Sequence, residues 1–455
     1  MKIQKFMLKN VRCFEDEQEF NIRPLTFLIG ENSTGKSTVL GSMQALSRYF
    51  IGPWQEEFDF NREPYEMGAF ADIARKVGGR VGRSRSFELG FEFRLGRIDT
   101  MTCRVELVER ESGAGPIVKR VRLAFNDGEI ILNSKEESDG IQSRNVLDGP
   151  YLGSKENEFS FEVNRNSLLS GLEVIFSNIA MPQPDGRGDS NVELSKLGEY
   201  LRTVILRQIP SLKGHQESEL RRYFFELLPS RLCPLFESFA PIRSKPKRTY
   251  NPGREIEDSE GSEMPMVLMN MFRSDSKLWK DIQQELRFFG IESGLFQDIS
   301  VRKLGKSTND PFQLQIKVRG PKVNMIDVGY GVNQILPILV RLLRARKACF
   351  LIQQPEVHLH PKGQAELTSL LIKLSVSLRH SFVIESHSDY MIDRARIEIM
   401  KGRIKPEDVS LLYLKPEGNK VEVHNITFDK NANMIGEPPA YNDFFLKESN
   451  ELLGF

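Results

Sequence analysis

The residues best placed to do chemistry are the octapeptide Gly30-Glu-Asn-Ser-Thr-Gly-Lys-Ser37, which has the spacing G-x-x-x-x-G-K-[ST]. Glycine at both key places lets the backbone curl until successive N–H groups point inward at phosphate oxygens. The Lys36 ammonium would neutralise β- and γ-phosphates, and the Ser37 hydroxyl would ligate Mg²⁺. A helix opening at this point adds the positive end of its dipole. Gly30, Asn32, Ser33, Thr34, Gly35, Lys36, Ser37 and Thr38 are therefore the candidate contacts to ATP.

Those residues need a strand before them and a helix after them. Residues 2–9 and 18–29 read as strands, the second running into the glycine-rich turn. From Lys36 to about Phe50, Val39, Leu40, Met43, Leu46 and Phe50 recur at helical spacing. Residues 86–165 alternate apolar and polar side chains between Gly, Asn and Asp breaks, the pattern of an antiparallel meander. From about 167 to 290 the pattern is mostly helical, interrupted by the Pro-, Gly- and charge-rich stretch 243–263, which reads as a mobile loop. Residues 298–318 alternate again. After Asp327, apolar strands (ACFLI, SFVIE) alternate with helices, which implies a parallel sheet covered on both faces. The expected class is α/β with a P-loop core split in sequence. Its parts are residues 1–60 and 298–455, with an antiparallel β subdomain (61–165) and a helical lobe (166–297) inserted between them.

The motifs, in this order, resemble ABC-type ATPases related to RecF, SMC heads and the overcoming-lysogenization-defect ATPases. Within that group the chain is similar to the stand-alone ATPase subunits of anti-phage systems such as PARIS and Septu. Leu8-Lys-Asn-Val-Arg-Cys-Phe14 looks like the opening of those heads, where the basic residue, Arg12 here, reaches the nucleotide phosphates. Asp327-Val-Gly-Tyr-Gly-Val-Asn-Gln334 stands where they carry a signature motif facing the γ-phosphate of the opposite subunit. The resemblance thus assigns Gly329, Gly331, Asn333 and Gln334 to the nucleotide, with Gly329 where the family commonly has serine. Leu351-Ile-Gln-Gln-Pro-Glu-Val-His-Leu-His-Pro361 resembles the Walker B and D-loop segment.

That last resemblance makes Gln353 a metal-side residue and gives Gln353, Gln354 and Glu356 candidate catalytic places. The first position normally carries Glu or Asp, so hydrolysis is expected to be impaired. Glu385-Ser-His-Ser-Asp389 is similar to the switch motif, in which His387 would sense the γ-phosphate. His358 and His360 lie two apart with no third ligand at useful spacing, so packing and intersubunit contact are expected of them rather than a metal site. The implied protein binds ATP and Mg²⁺ and assembles as at least a homodimer, with a larger ring as the extended form. It would control a separate effector protein in response to a phage-derived trigger. The alternatives are a RecF-like DNA-clamping ATPase and an ATP-binding scaffold with little hydrolysis.

The composition excludes several other classes. Lys plus Arg number 63 against 62 Asp plus Glu, a net +1 that rules out a globally basic nucleic-acid binder. The group Arg243, Lys245, Lys247 and Arg248 leaves local DNA contact as a weaker reading, because Glu255, Glu257, Asp258 and Glu260 soon follow. The four cysteines are far apart with no C-x-x-C pair, which argues against a zinc site or disulfide framework. The segment after His387 lacks the acidic pattern of a built-in metal nuclease, and no G-x-S-x-G elbow supports Ser/His/Asp hydrolysis. No run approaches the roughly 18–20 apolar residues of a membrane span. The opening residues lack a secretion-signal core, so no membrane attachment and a cytoplasmic location are expected.

Overall fold

Pro24 divides the second predicted strand. It has no N–H to give a ladder, and the chain splits there into Gln18–Asn21 (β2) and Leu25–Gly30 (β3). The two halves join different sheets. The structure is a computed structural model. It describes residues 3–51, 58–77, 82–95, 99–110, 115–125, 128–135, 144–148, 159–162, 232–253, 257–274, 277–439 and 441.

One sheet has eight strands: Ile3–Lys9 (β1), β2, Ser86–Leu95 (β4), Asp99–Glu109 (β5), Pro116–Phe125 (β6), Gly128–Lys135 (β7), Arg144–Asp148 (β8) and Phe159–Glu162 (β9). All its pairings are antiparallel, with Phe6 opposite both Phe20 and Phe91. This is the meander expected from alternation, extended by the N-terminal strand pair that the sequence reading had assigned to the core.

The second sheet carries the motifs. Its order is Phe236–Phe239 (β10), Cys349–Gln353 (β14), Ser381–Glu385 (β15), β3, Val409–Glu417 (β16), Lys420–Phe428 (β17) and Met434–Ile435 (β18). The first five strands are parallel. β10 is a correction to the sequence reading, which put its residues in a helical insertion. Four residues are too short to show a period, yet they form the edge next to β14. Asp298–Lys303 (β11), Phe312–Lys317 (β12) and Val323–Asn324 (β13) form a small third sheet. The helical patterns read at 191–209 and 217–228 lie outside the described residues.

Alternation along the parallel strands divides the interior into two cores. Leu28, Leu351, Val383 and Leu412 face the eight-stranded sheet and the helix Lys36–Ile51 (α1). Phe27, Ile29, Phe350, Ile352, Phe382 and Ile384 face the other side. There they meet Met264–Ser274 (α3), Lys277–Ser293 (α4), Tyr330–Arg344 (α5), Pro361–Ser377 (α6) and Asp389–Met400 (α7); the short Phe70–Ile73 (α2) borders the first core. Strands buried on both faces explain the continuous apolar runs at β14 and β15. Helix starts are also specified locally: Pro361 opens α6 after the His360 cap, and Ser388 Oγ accepts from Met391 N to cap α7.

Candidate nucleotide-binding site

Parallel strands present their C-terminal ends on one edge, and three of those ends converge here. β3 ends at Gly30, β14 at Gln353 and β15 at Glu385, with Gln353 the register partner of Glu385. Gly30 and Gly35 have φ of 143° and 89°, values open to glycine. A Cβ on Gly30 would lie 2.5 Å from the Leu414 carbonyl oxygen, and one on Gly35 would lie 2.7 Å from Cys13 Sγ. The loop therefore holds its curve only with these residues.

Lys36 folds back over the loop, donating to the carbonyl oxygens of Gly30 (2.9 Å) and Glu31 (2.7 Å). Burial lowers its pKa, opposed by the charges of Glu385 and Glu31. Asn32, Ser33 and Ser37 are exposed at the mouth, while Thr34 is buried and donates to Glu31 O. Arg12 bonds Thr38 Oγ1 at 3.2 Å and the carbonyls of Met67 and Asp72, so it is held beside the start of α1.

Ser37 Oγ donates to Glu385 Oε2 at 3.0 Å. Gln353 Nε2 lies 3.1 Å from Ser37 Oγ and 3.3 Å from Glu385 Oε2. Sequence reasoning gave Glu385 no role. The available signal was an apolar strand ending in a carboxylate, visible once β15 is set beside β14.

Glu356 is buried. Its Oε1 accepts from His387 N at 2.8 Å, its Oε2 has no partner, and burial raises its pKa. The His387 side chain is exposed, with its pKa lowered by desolvation and by the Lys36 charge. Gln354, Glu356 and His387 line a cavity of about 400 Å³ with His358, Gln364 and Tyr390. His360 accepts from Lys362 N as a helix cap, and no cluster of three metal-ligating side chains exists among the described residues.

The signature segment divides. Gly329 is exposed and Gly331 half-buried, at the N-terminus of α5. Asn333 and Gln334, expected at the nucleotide, are buried in the interior instead. The reason is that α5 is buried on nearly every side from Val332 to Leu343, so its polar residues are enclosed with the apolar ones. Gln334 Oε1 accepts from Arg243 N at 3.1 Å.

Arg243 corrects a second expectation. It is 1% exposed and donates to Gln353 O at 3.1 Å and Pro241 O at 2.7 Å, so it cannot serve a surface patch for DNA. Desolvation pulls its pKa down to about 10, with Glu356 opposing. Parts of the 243–263 stretch are tied down, whereas Lys245 and Lys247 are exposed. Arg248 bonds both carboxylate oxygens of Asp327 at 3.0 and 2.7 Å, Tyr250 pairs with the Phe312 backbone, and Arg341 bonds Asp258 O and Glu263.

The residues fit a divalent cation. Glu385 is a buried carboxylate with no ion-pair partner among the described residues, and Gln353 Oε1 is buried with no hydrogen-bond partner. Lys36 acts on the Glu385 charge only through space, and a buried carboxylate without an ion-pair partner is costly unless further positive charge compensates it.

Residues 1–76 and 263–392 match the AAA ATPase domain family. These stretches, a little under half of the chain, include the cradle, the signature segment, the ends of β14 and β15, and His387. The match supports a P-loop ATPase of the AAA type. Among curated proteins no match was found. Three solved structures are similar to the chain at low scores. The SmcHead bound to the C-winged helix domain of ScpA has TM-score 0.46 and 10% identity, covering 94% of this chain and 99% of that one. The SMC head domain from Thermotoga maritima has TM-score 0.39 and 9% identity, covering 93% and 98%. The Smc head with extended coiled coil bound to the C-terminal domain of ScpA, from Pyrococcus furiosus, has TM-score 0.44 and 12% identity, covering 99% of each. No helix among the described residues is long and apolar enough to cross a membrane.

Proposed function

We propose that the chain binds ATP with Mg²⁺ in the Gly30–Ser37 cradle and works as an ATP-driven switch that assembles with copies of itself. The observation that carries this is the convergence of Lys36, Ser37, Gln353 and Glu385 at one edge of the parallel sheet. Lys36 would exchange its two carbonyl partners for phosphate oxygens, and the loop N–H groups would hold the β-phosphate. Ser37, Gln353 and Glu385 would hold the cation, whose chemistry is to neutralise phosphate charge. His387, exposed just past the end of β15, would hydrogen-bond the γ-phosphate side. Glu356 holds the switch backbone at His387 and, with its unpartnered oxygen, can accept a proton from water.

Gly329 and Gly331 lie at an exposed helix start, which supports a sandwich in which one chain's α5 closes another chain's cradle. At least a dimer follows from that arrangement. The resemblance of the motifs to anti-phage ATPase subunits supports a role as sensor and regulator of a separate effector. A DNA-clamping role is weaker, since Arg243 is buried and Arg248 is paired with Asp327. Calorimetry with ATP and Mg²⁺, combined with native mass measurement, tests the reading. Absence of nucleotide binding would reject it, as would a strictly monomeric mass at saturating ATP. Co-expression with the neighbouring gene in a phage plating assay tests the defence role.

A further inference from the structure

Ser37 has one hydroxyl proton and two lone pairs, and to ligate a cation it must turn a lone pair outward. Its proton then needs an acceptor. In P-loop sites that acceptor is expected on the strand ending in the acid of the Walker B segment, but residue 353 is an amide. Here the proton goes to Glu385 Oε2, 3.0 Å away, on the neighbouring strand.

The Gln353 amide is oriented by the same carboxylate. Its nitrogen sits 3.3 Å from Glu385 Oε2. Turned over, the amide would set an oxygen against that oxygen. Its Oε1 is left buried and without a partner. Glu385 is itself buried, with no cation in ion-pair contact among the described residues, while Lys36 is engaged by Gly30 O and Glu31 O.

We infer that Glu385 supplies the negative charge of the divalent-cation site, taking the Ser37 proton so that the hydroxyl can face the metal. The charge absent from residue 353 is carried one strand over. The inference rests on the nucleotide-site reading above. It further implies that cation binding survives with glutamine at 353.

The test is an electron-paramagnetic-resonance titration of Mn²⁺ into the full chain with a non-hydrolysable ATP analogue. Analogue binding in EDTA is measured separately. The parent should bind Mn²⁺, and Glu385→Gln should weaken that affinity at least tenfold while analogue binding in EDTA is not weakened, since a negative charge beside the phosphates is removed. Glu385→Asp keeps the charge and should recover part of the loss. It also serves if the amide variant folds poorly. Ser37→Ala should weaken Mn²⁺ as well, and the double variant should lose no more than the larger single loss, because the two groups act as a unit. Equal Mn²⁺ affinity in Glu385→Gln and parent would overturn the inference, as would additive losses in the double variant. No analogue binding by the parent either with Mn²⁺ or in EDTA would instead overturn the nucleotide-site reading, and this inference with it.

Discussion

Gln353 and Glu385 end neighbouring parallel strands as register partners, with the amide nitrogen of one 3.3 Å from a carboxylate oxygen of the other. The amide at 353 is therefore a hydrogen-bond donor to a buried anion. Glutamate at 353 would set two carboxylates against each other, and like charges at that range cannot both stay ionised without a proton or a cation between them.

Gln353→Glu is accordingly expected to depend more on the metal than the parent. In EDTA its melting temperature should fall, and Mg²⁺ should restore it by more than it raises the parent's. With ATP present, turnover should rise tenfold or more, equivalent to about 1.4 kcal/mol of barrier. Thermal melts with and without Mg²⁺, and phosphate-release rates, read both effects. Equal, brisk turnover in both chains would move the decisive role to Glu356.

Lys36→Ala should abolish Mg·ATP binding. The ammonium now bridges Gly30 O and Glu31 O, so its loss also frees these two carbonyls where the chain leaves β3. Circular dichroism should report an unchanged fold, and calorimetry no heat of binding. Unchanged affinity would remove the cradle assignment.

Much of this site was legible because local rules and the fold agree. The Gly30–Ser37 turn lies between an apolar strand and a helix, and both elements are present, the helix being buried throughout Thr38–Ser47. The ACFLI and SFVIE runs are the buried parallel strands that continuous apolarity implies. What was not legible depends on neighbours in space. Arg243 sits in a mixed-charge stretch that reads as solvated surface, and only the adjacency of β10 and β14 carries it beneath Gln353. Glu385 acquires its role from strand order, which no local pattern encodes. Asn333 and Gln334 are interior because the whole of α5 is interior, a fact set by the elements packed on it.

The exposed pair Arg248–Asp327 ties the charged loop to the segment just before α5. Its stabilising effect is expected to be negligible, since both side chains are solvated. Its geometric effect is not, because it sets where the loop lies beside Gly329. Arg248→Ala should leave the melting temperature and ATP affinity unchanged and weaken nucleotide-dependent assembly. Raising salt should weaken assembly of the parent in the same way and the variant less. Mass photometry across a salt series checks this, and identical salt curves for the two chains would contradict it.

The two exposed-end glycines of α5 should respond oppositely to a side chain. Gly331 approaches the turn after β14 so closely that a Cβ would meet His358 O at 2.5 Å, and a backbone atom cannot swing aside as a side-chain tip can. The Tyr330 ring also meets the His358 ring edge-on at 4.6 Å, so the helix start and that turn are packed as one unit. Gly331→Ala should push them apart, with a loss of about 1–3 kcal/mol typical of overpacking, and should disrupt assembly. Gly329 is different. A Cβ there meets nothing within 4 Å, and its φ of −57° suits any residue. It is the N-cap of α5 and makes no side-chain cap bond, whereas serine would accept from the first-turn N–H groups and add a few tenths of a kcal/mol. Gly329→Ser also places a hydroxyl where the resembling ATPases commonly carry one. The serine variant should melt slightly higher than the parent and form the ATP-dependent oligomer at lower protein concentration, while Gly331→Ala melts lower and stays monomeric. A Gly331→Ala chain that assembles like the parent would show that the packed helix start takes no part in closing a neighbour's site.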